Sequence, residues 1–375
     1  MKTLSYGRQY IDEEDINAVV EILRGDWLSQ GPSVEAFENA FAAYVGTRHA
    51  VAFSNGTAAL HGAYFAAGAS RGDEVITSPL TFAATANAAL YTGAVPVFAD
   101  IDPATACLDP EKTAEKITQE TKVIAPVSFA GYPADIPAFL EIARSCGAVV
   151  VEDACHALGA CRGGVRVGKE ADLTAFSFHP VKHITTGEGG MVTTDSDEYA
   201  RRLRLFRSHG ITKDRDTMKD EPDGPWFTEM QVLGYNYRLI DIHSALGLSQ
   251  LKKLDQFVRR RKSIAALYDS LFEGVSSLLV PPRHEGHSYH LYPLRFPAGR
   301  RLEIFEELRT RGIRGMVHYP PVHLHHFYRQ EFGWKRGDFP CSEEFYAREI
   351  SIPMYYGLSD DDVRRVAGEI RSLSE

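Results

Sequence analysis

Seven short apolar runs, interleaved with segments of helical spacing, constrain this chain more than any other feature of its sequence. The runs are His49–Ser54, Glu74–Thr77, Val95–Ile101, Lys122–Phe129, Ala148–Glu152, Leu173–Phe178 and Gly190–Thr194. They are apolar almost throughout rather than alternating, which is the pattern of strands covered on both faces. Helical segments such as Thr57–Ala67, Phe82–Tyr91 and Ile136–Cys146 fall between them. This alternation predicts an α/β fold: a large, mostly parallel sheet sandwiched by helices. Ahead of it, Asp12 caps a helix running to Arg24, with acids in the first turn and an apolar stripe at Ile16, Val19, Val20 and Leu23. A second amphipathic stretch carries Val34, Phe37, Phe41 and Tyr44.

The pattern changes after Thr194. A basic helix, Glu198–Arg207, leads to a polar loop, Lys213–Pro225, and then to a long helical stretch, Ile242–Phe272. The remainder has strand candidates at His290–Phe296 and Arg314–Tyr319 and a last helix, Asp360–Leu373. We expect a large domain over residues 1–250 and a smaller C-terminal α+β domain over residues 251–375.

Composition removes several classes of function. The 375 residues carry 41 Lys+Arg against 50 Asp+Glu, a net charge of −9, which argues against a nucleic-acid binder. The arginines at 201, 202, 204 and 207 and the run Arg259–Lys262 then read as solvated faces or subunit contacts. The longest uncharged stretch, Val75–Ala99, is broken by Pro79, Asn87, Gly93 and Pro96, so no membrane span is expected. The first residues lack the apolar core of a signal peptide. Five scattered cysteines without a CxxC pair suit a reducing cytoplasm and supply no zinc framework. His318, His323, His325 and His326 do not have metal-ligand spacing, and Pro320 and Pro321 interrupt them; no metal is expected.

In sheets of this kind ligands bind at the carboxyl ends of strands, and three strand ends stand out. The first run ends in Ser54-Asn55-Gly56-Thr57-Ala58-Ala59, a small-residue turn entering a helix, hence an anion site or a plain N-cap. The fifth ends in Glu152-Asp153-Ala154-Cys155-His156, a carboxylate that either meets a ligand or caps the next helix. The sixth leads into Ser177-Phe178-His179-Pro180-Val181-Lys182-His183-Ile184-Thr185-Thr186-Gly187-Glu188-Gly189-Gly190. A lysine between a strand and a glycine-rich turn is either a surface charge or, held in a pocket, a nucleophile toward aldehydes.

Each feature alone is weak, but together and in this order they fit pyridoxal 5′-phosphate. Lys182 would form the Schiff base and Asp153 would keep the ring nitrogen protonated. The phosphate would sit at the Gly56–Thr57 helix start.

The Glu152–Gly159 and Ser177–Gly190 segments resemble the fold-type I sugar aminotransferases of the DegT/StrS family. The resemblance spans essentially the whole chain. It takes in Arg207-Ser208-His209-Gly210, Gly234-Tyr235-Asn236-Tyr237-Arg238, Ser244-Ala245-Leu246-Gly247-Leu248 and Val317-His318-Tyr319-Pro320-Pro321-Val322-His323-Leu324. It implies that Thr57, the Ala58 backbone and Ser177 hold the phosphate, that His156 packs on or beside the ring, and that Phe82 stacks on the opposite face. By the same resemblance Asn236 reaches the phosphate of a neighbouring subunit, so the chain would be a homodimer with shared sites. A nucleotide sugar would lie between subunits, against Tyr6, the loop of Asp26, Trp27, Leu28 and Ser29, and the strand of Met316, Val317, His318 and Tyr319.

The resemblance is strongest to members that move the amino group of L-glutamate to the C-4 ketone of a UDP-linked 4-keto-6-deoxy-N-acetylhexosamine, toward pseudaminic acid. One residue departs: Met316 stands where those members often carry Gln. The same chemistry on a gluco-configured, bacillosamine-type sugar, or on another nucleotide-linked keto sugar, is the alternative. Relatives that dehydrate a sugar replace the lysine with histidine, whereas Lys182 is present here. A cofactor-binding regulator would usually carry an added basic DNA-binding module, and none is seen.

Overall fold

The structure is a computed structural model that describes residues 2–374, so Met1 and Glu375, the outer ends of the two expected domains, lie outside it. All seven apolar runs become strands of one sheet: β1 His49–Phe53, β2 Glu74–Thr77, β3 Val95–Phe98, β4 Thr121–Ala125, β5 Val149–Asp153, β6 Leu173–Ser177 and β7 Gly190–Thr194. Their order across the sheet is β1-β7-β6-β5-β4-β2-β3. Neighbouring pairs are parallel except that β7 runs antiparallel to both β1 and β6.

Helices cover both faces, which is why the strands carry so few polar residues. On one face α3 (Gly56–Ala67) packs Leu60 and Tyr64 against Val51, Val123 and Val192, with Leu203 and Phe206 of the helix Asp197–Arg207 beside them. On the other, α2 (Pro32–Val45) sets Phe37 and Phe41 against Phe176, Phe178 and Met191. Farther along, Ile136 and Phe139 of the helix Ile136–Cys146 cover Ile76, Ile124 and Val150.

The capped first helix forms as expected. In α1 (Glu13–Arg24) the Asp12 side chain accepts from the Glu14 and Asp15 N–H groups, and Asp15 returns a bond to the Asp12 N–H. Two expectations do not hold. The stretch Ile242–Phe272 is two helices, Asp241–Leu251 and Leu254–Leu271. The chain turns at Lys252 and Lys253, where the Lys253 ammonium meets Asp12 and Asp15. Nor is Arg314–Tyr319 a strand. Only Ile313–Arg314 pairs, with Leu4–Ser5, and beyond it Met316 makes a single bridge to Ser351.

The C-terminal part contains a strand that the pattern hid, Glu349–Ile352, antiparallel to Tyr292–Arg295. It shares one core with Leu4, Leu294, Ile304, Ile313, Val363 and Ile370. The helix Leu254–Leu271 serves two cores: Leu254, Phe257 and Val258 pack toward the sheet, and Ile264, Ala265 and Tyr268 toward the C-terminal core. Among the described residues no helix is long and apolar enough to cross a membrane.

Candidate active site

The reversal of β7 creates the site. Because β7 is antiparallel to both neighbours, its first residue, Gly190, lies opposite Phe53 and Ser177, the last residues of β1 and β6. The loop between β6 and β7, which carries Lys182, is therefore held over the same sheet edge where α3 begins. The Phe178 N–H donates to Gly189 O at 2.8 Å, and the Thr186 N–H to Phe178 O at 3.1 Å, closing the loop on itself. The fit leaves no room for side chains: a Cβ on Gly190 would lie 2.4 Å from Asn55 O, and one on Gly56 2.9 Å from Ser177 Cβ.

Over this edge lies a cavity of about 640 Å³. Its lining brings together Thr57, Ala58, Phe82, Asp153, His156, Ser177 and Lys182, together with Tyr6, His318 and Tyr319. At one end the helix start of α3 exposes first-turn N–H groups that have no intrahelical acceptor. Asn55 caps this helix: its Oδ1 accepts the Ala58 N–H at 2.8 Å. The Ala58 amide is thus already engaged, which leaves Gly56 and Thr57 as the open donors of that turn.

Asp153 ends β5 and is 5% exposed. Its Oδ2 accepts the Thr85 hydroxyl proton at 2.7 Å and its Oδ1 the Cys155 N–H at 3.0 Å. Thr85 sits in the first turn of α4 (Ala84–Thr92), fully buried, with Thr81 Oγ1 2.8 Å away. These bonds fix the direction of the carboxylate and leave it acceptor capacity toward the cavity.

Lys182 is half-buried and makes no ion pair among the described residues; His290 Nε2, 3.5 Å from its Nζ, is the polar atom within reach. Burial pushes its pKa down, while the nearby Cys155 and Asp153 push the other way. Three buried imidazoles stand around it, those of His156, His183 and His290. Burial holds all three well below the usual histidine range, with the lysine charge adding to the effect. They are neutral walls.

For His156 the bonding assigns the tautomer. Nδ1 accepts the Ala130 N–H at 3.3 Å, so the hydrogen is on Nε2 and points to Tyr319 Oη at 3.0 Å. The rim is aromatic. Phe82, 59% exposed, faces the Tyr319 ring at 5.8 Å, and Tyr6 and His318 stand 5.0 Å apart.

Other expected contacts are not gathered here within one chain. Asp26, Trp27, Leu28 and Ser29 are exposed; their loop is pinned to the helix Asp241–Leu251, with Leu28 O accepting the Asp241 N–H at 3.1 Å and Asp241 Oδ2 accepting the Gly31 N–H at 2.8 Å. Asn236 is exposed and bridges Ser208. Met316 exchanges two backbone bonds with Ser351 and leaves its side chain 44% exposed; neither it nor Val317 lines the cavity. Residues the sequence reading missed include Thr85 and His290. Thr85 lay inside an expected helix three residues past Phe82, and His290 opened an expected strand.

Three comparisons bear on this geometry. The model of the DegT/DnrJ/EryC1/StrS aminotransferase family matches residues 9–371. The chain is 42% identical over 377 residues to the spore coat polysaccharide biosynthesis protein SpsC of Bacillus subtilis, covering 99% of this chain and 97% of that protein. It is 39% identical over 380 residues to a UDP-4-amino-4,6-dideoxy-N-acetyl-beta-L-altrosamine transaminase of Campylobacter jejuni, covering 99% and 98%. Among solved structures it is similar to Helicobacter pylori PseC, an aminotransferase involved in the biosynthesis of pseudoaminic acid, with a TM-score of 0.92 and 33% identity over 99% of both chains.

Proposed function

The chain belongs to the DegT/DnrJ/EryC1/StrS aminotransferase family, and from that premise we propose that it moves the amino group of L-glutamate to the C-4 ketone of a UDP-linked 4-keto-6-deoxy-N-acetylhexosamine. It is a sugar aminotransferase, and its cofactor is pyridoxal 5′-phosphate. The observation that carries the reading is Lys182, without a carboxylate partner among the described residues, in one cavity with a fixed and buried Asp153.

The residues fit the cofactor. The open N–H groups of Gly56 and Thr57 and the Ser177 side chain line the same end of the cavity, which suits a phosphate at a helix start. Asp153, with Thr85 behind it, would accept the ring N–H, and the neutral His156 would flank the ring. When bound, the group supplies an electrophilic carbon and a ring that takes up electrons.

The rest falls to the chain. Burial pushes the Lys182 pKa down, toward the free amine, and as the free amine Nζ can take the proton from the α-carbon of the amino donor and return one at C-4 of the sugar. His156 cannot compete for it, because its one open nitrogen already carries a hydrogen held by Tyr319. Phe82 would stack on the ring face opposite His156, and Tyr6, His318 and Tyr319 would orient the sugar and exclude water at the rim.

Asn236, the Asp26–Ser29 loop and Met316–Val317 do not line their own cavity, and we assign them to the cavity of a second copy in a homodimer. Exposed Trp27, Leu28, Met230 and Leu233 support such a contact. Residues 1–250 and 251–375 would form the large and small domains, with the helix Leu254–Leu271 between them. Five free cysteines suit a cytoplasmic enzyme.

A second reading keeps the chemistry and changes the sugar, to a gluco-series or other nucleotide-linked ketone. Met316 in place of Gln favours it. Incubation with glutamate and either the altro- or the gluco-series UDP-linked 4-ketone, followed by NMR of the amino sugar, separates the two. Conversion of the gluco-series ketone alone would overturn the first.

A further inference from the structure

His318 lines the cavity, but the groups that fix its ring lie behind the wall. Its Nδ1 is 2.9 Å from Ser351 Oγ, and Ser351 Oγ is 2.5 Å from Glu349 Oε1. The His318 backbone N–H donates to Glu349 Oε2 at 2.8 Å. Ser351 and Glu349 are both fully buried, two residues apart and so on one face of the strand Glu349–Ile352.

A hydroxyl has one proton, so with the imidazole neutral and the Ser351 proton kept within it, this chain of bonds has two self-consistent states. With Glu349 ionised, the carboxylate takes the Ser351 proton, Ser351 offers Nδ1 only lone pairs, and Nδ1 must carry the imidazole hydrogen. Nε2 is then an acceptor. With Glu349 protonated, its O–H donates to Ser351 Oγ and the Ser351 O–H donates to Nδ1. The imidazole hydrogen moves to Nε2, which becomes a donor. The second state holds one more proton, taken from solvent at Glu349, and the imidazole is neutral in both. Among the described residues no group bonds Nε2, and the ring faces the cavity.

We infer that Glu349 and Ser351 are positioning residues that set the tautomer of His318, so that a buried carboxyl decides whether the cavity meets a donor or an acceptor at Nε2. The inference rests on the reading of this cavity as the sugar site, and it names what that site reads. With Nε2–H presented, the partner is a phosphate or carbonyl oxygen of the nucleotide sugar. With the lone pair presented, it is a hydroxyl or an amide N–H.

The surrounding groups place the switch in an accessible range. Burial pushes the Glu349 carboxyl up to about 8, against the pull of the Ser351 and His318 donors and the Arg301 charge. Tyr319 also faces it. Burial and the Lys182 charge hold His318 down to about 3, and His156, Tyr6 and Tyr319 flank it. His318 therefore responds by exchanging tautomers rather than by charging.

The test is long-range proton–nitrogen NMR of the holoenzyme labelled with ¹⁵N-histidine, with His318 assigned by its loss in His318→Gln. In the wild type the Nδ1 and Nε2 signals should exchange character between about pH 6 and pH 9.5. In Glu349→Gln, whose amide N–H donates permanently to Ser351, the Nε2–H pattern should persist throughout. Ser351→Thr should keep the exchange and Ser351→Ala should lose it. One unchanging pattern in the wild type, or an exchange that survives in Glu349→Gln, overturns the relay. KM for the accepted keto sugar should move about tenfold across the same range in the wild type and stay flat in Glu349→Gln. A tautomer exchange with a flat KM would leave the relay standing and remove the sugar from this wall.

Discussion

The two ends of the cavity draw on different lengths of chain. At the inner end, Thr57, Asp153, Ser177 and Lys182 each sit at the end of a sheet strand, in the first turn of a helix, or on the one loop that joins β6 to β7. At the rim, Tyr6, His318 and Tyr319 come from opposite ends of the chain and depend on how the C-terminal core docks. Leu4 belongs to that core, and the Met354 N–H holds Tyr6 O at 2.9 Å. The inner end is positioned by sheet geometry, which tolerates little displacement. The rim is positioned by packing between distant segments, and substrate choice can vary there while the chemistry stays fixed.

The comparison breaks if substitutions at the two ends behave alike. Lys182→Ala should lower turnover by about 10³-fold or more with the fold retained by circular dichroism; transamination near the wild-type rate would remove Lys182 from its role. Thr85→Val should cost on the order of 2 kcal/mol of support for Asp153. Cofactor affinity, read by titrating its absorbance, should weaken by roughly tenfold or more, and unchanged affinity would separate Thr85 from the site. At the rim, Tyr6→Phe keeps the ring and should raise KM for the sugar a few-fold while the reaction with the amino donor is unaffected. An equal loss in both halves would join the rim to the inner end.

Shared sites can be tested without a structure of the dimer. Mixing inactive Lys182→Ala with Asn236→Ala and allowing exchange should restore about a quarter of the wild-type activity if Asn236 acts across the interface. No recovery would place it elsewhere.

A separate effect, on stability rather than turnover, concerns the sheet behind the inner end. Glu152 precedes Asp153 on β5 and so faces the other side of the sheet, where burial raises its carboxyl to about 7. The folded state then binds its proton more tightly than the unfolded chain does. That contribution is present at low pH and is lost as pH rises from the ordinary carboxyl value through about 7. Urea unfolding should show a loss on the order of 3 kcal/mol across this window, flattened in Glu152→Gln. Equal slopes in both proteins would show that Glu152 is not the group responsible.

Much of the inner end was legible from local pattern. The seven apolar runs marked the strands to within a few residues, and strand ends carrying Thr57, Asp153 and Lys182 pointed at one edge. What local pattern cannot hold is the order of the strands, and with it the reversal of β7 that brings Lys182 over α3. Thr85 was hidden for a similar reason, since a threonine in a helix announces nothing until the fold sets Asp153 against it. The break at Lys252–Lys253 escaped because its cause, the acids at Asp12 and Asp15, lies some 240 residues earlier. His318 was visible but not what orients it, because Glu349 and Ser351 lie on a strand too short to show a period.

The helix Leu254–Leu271 gives one end of its length to each of two cores. A rigid rod shared in this way couples their melting, because neither core can expand without moving residues that the other has immobilised. Heat should therefore take the chain apart in a single cooperative step, with one calorimetric transition where two separately stabilised bodies would give two.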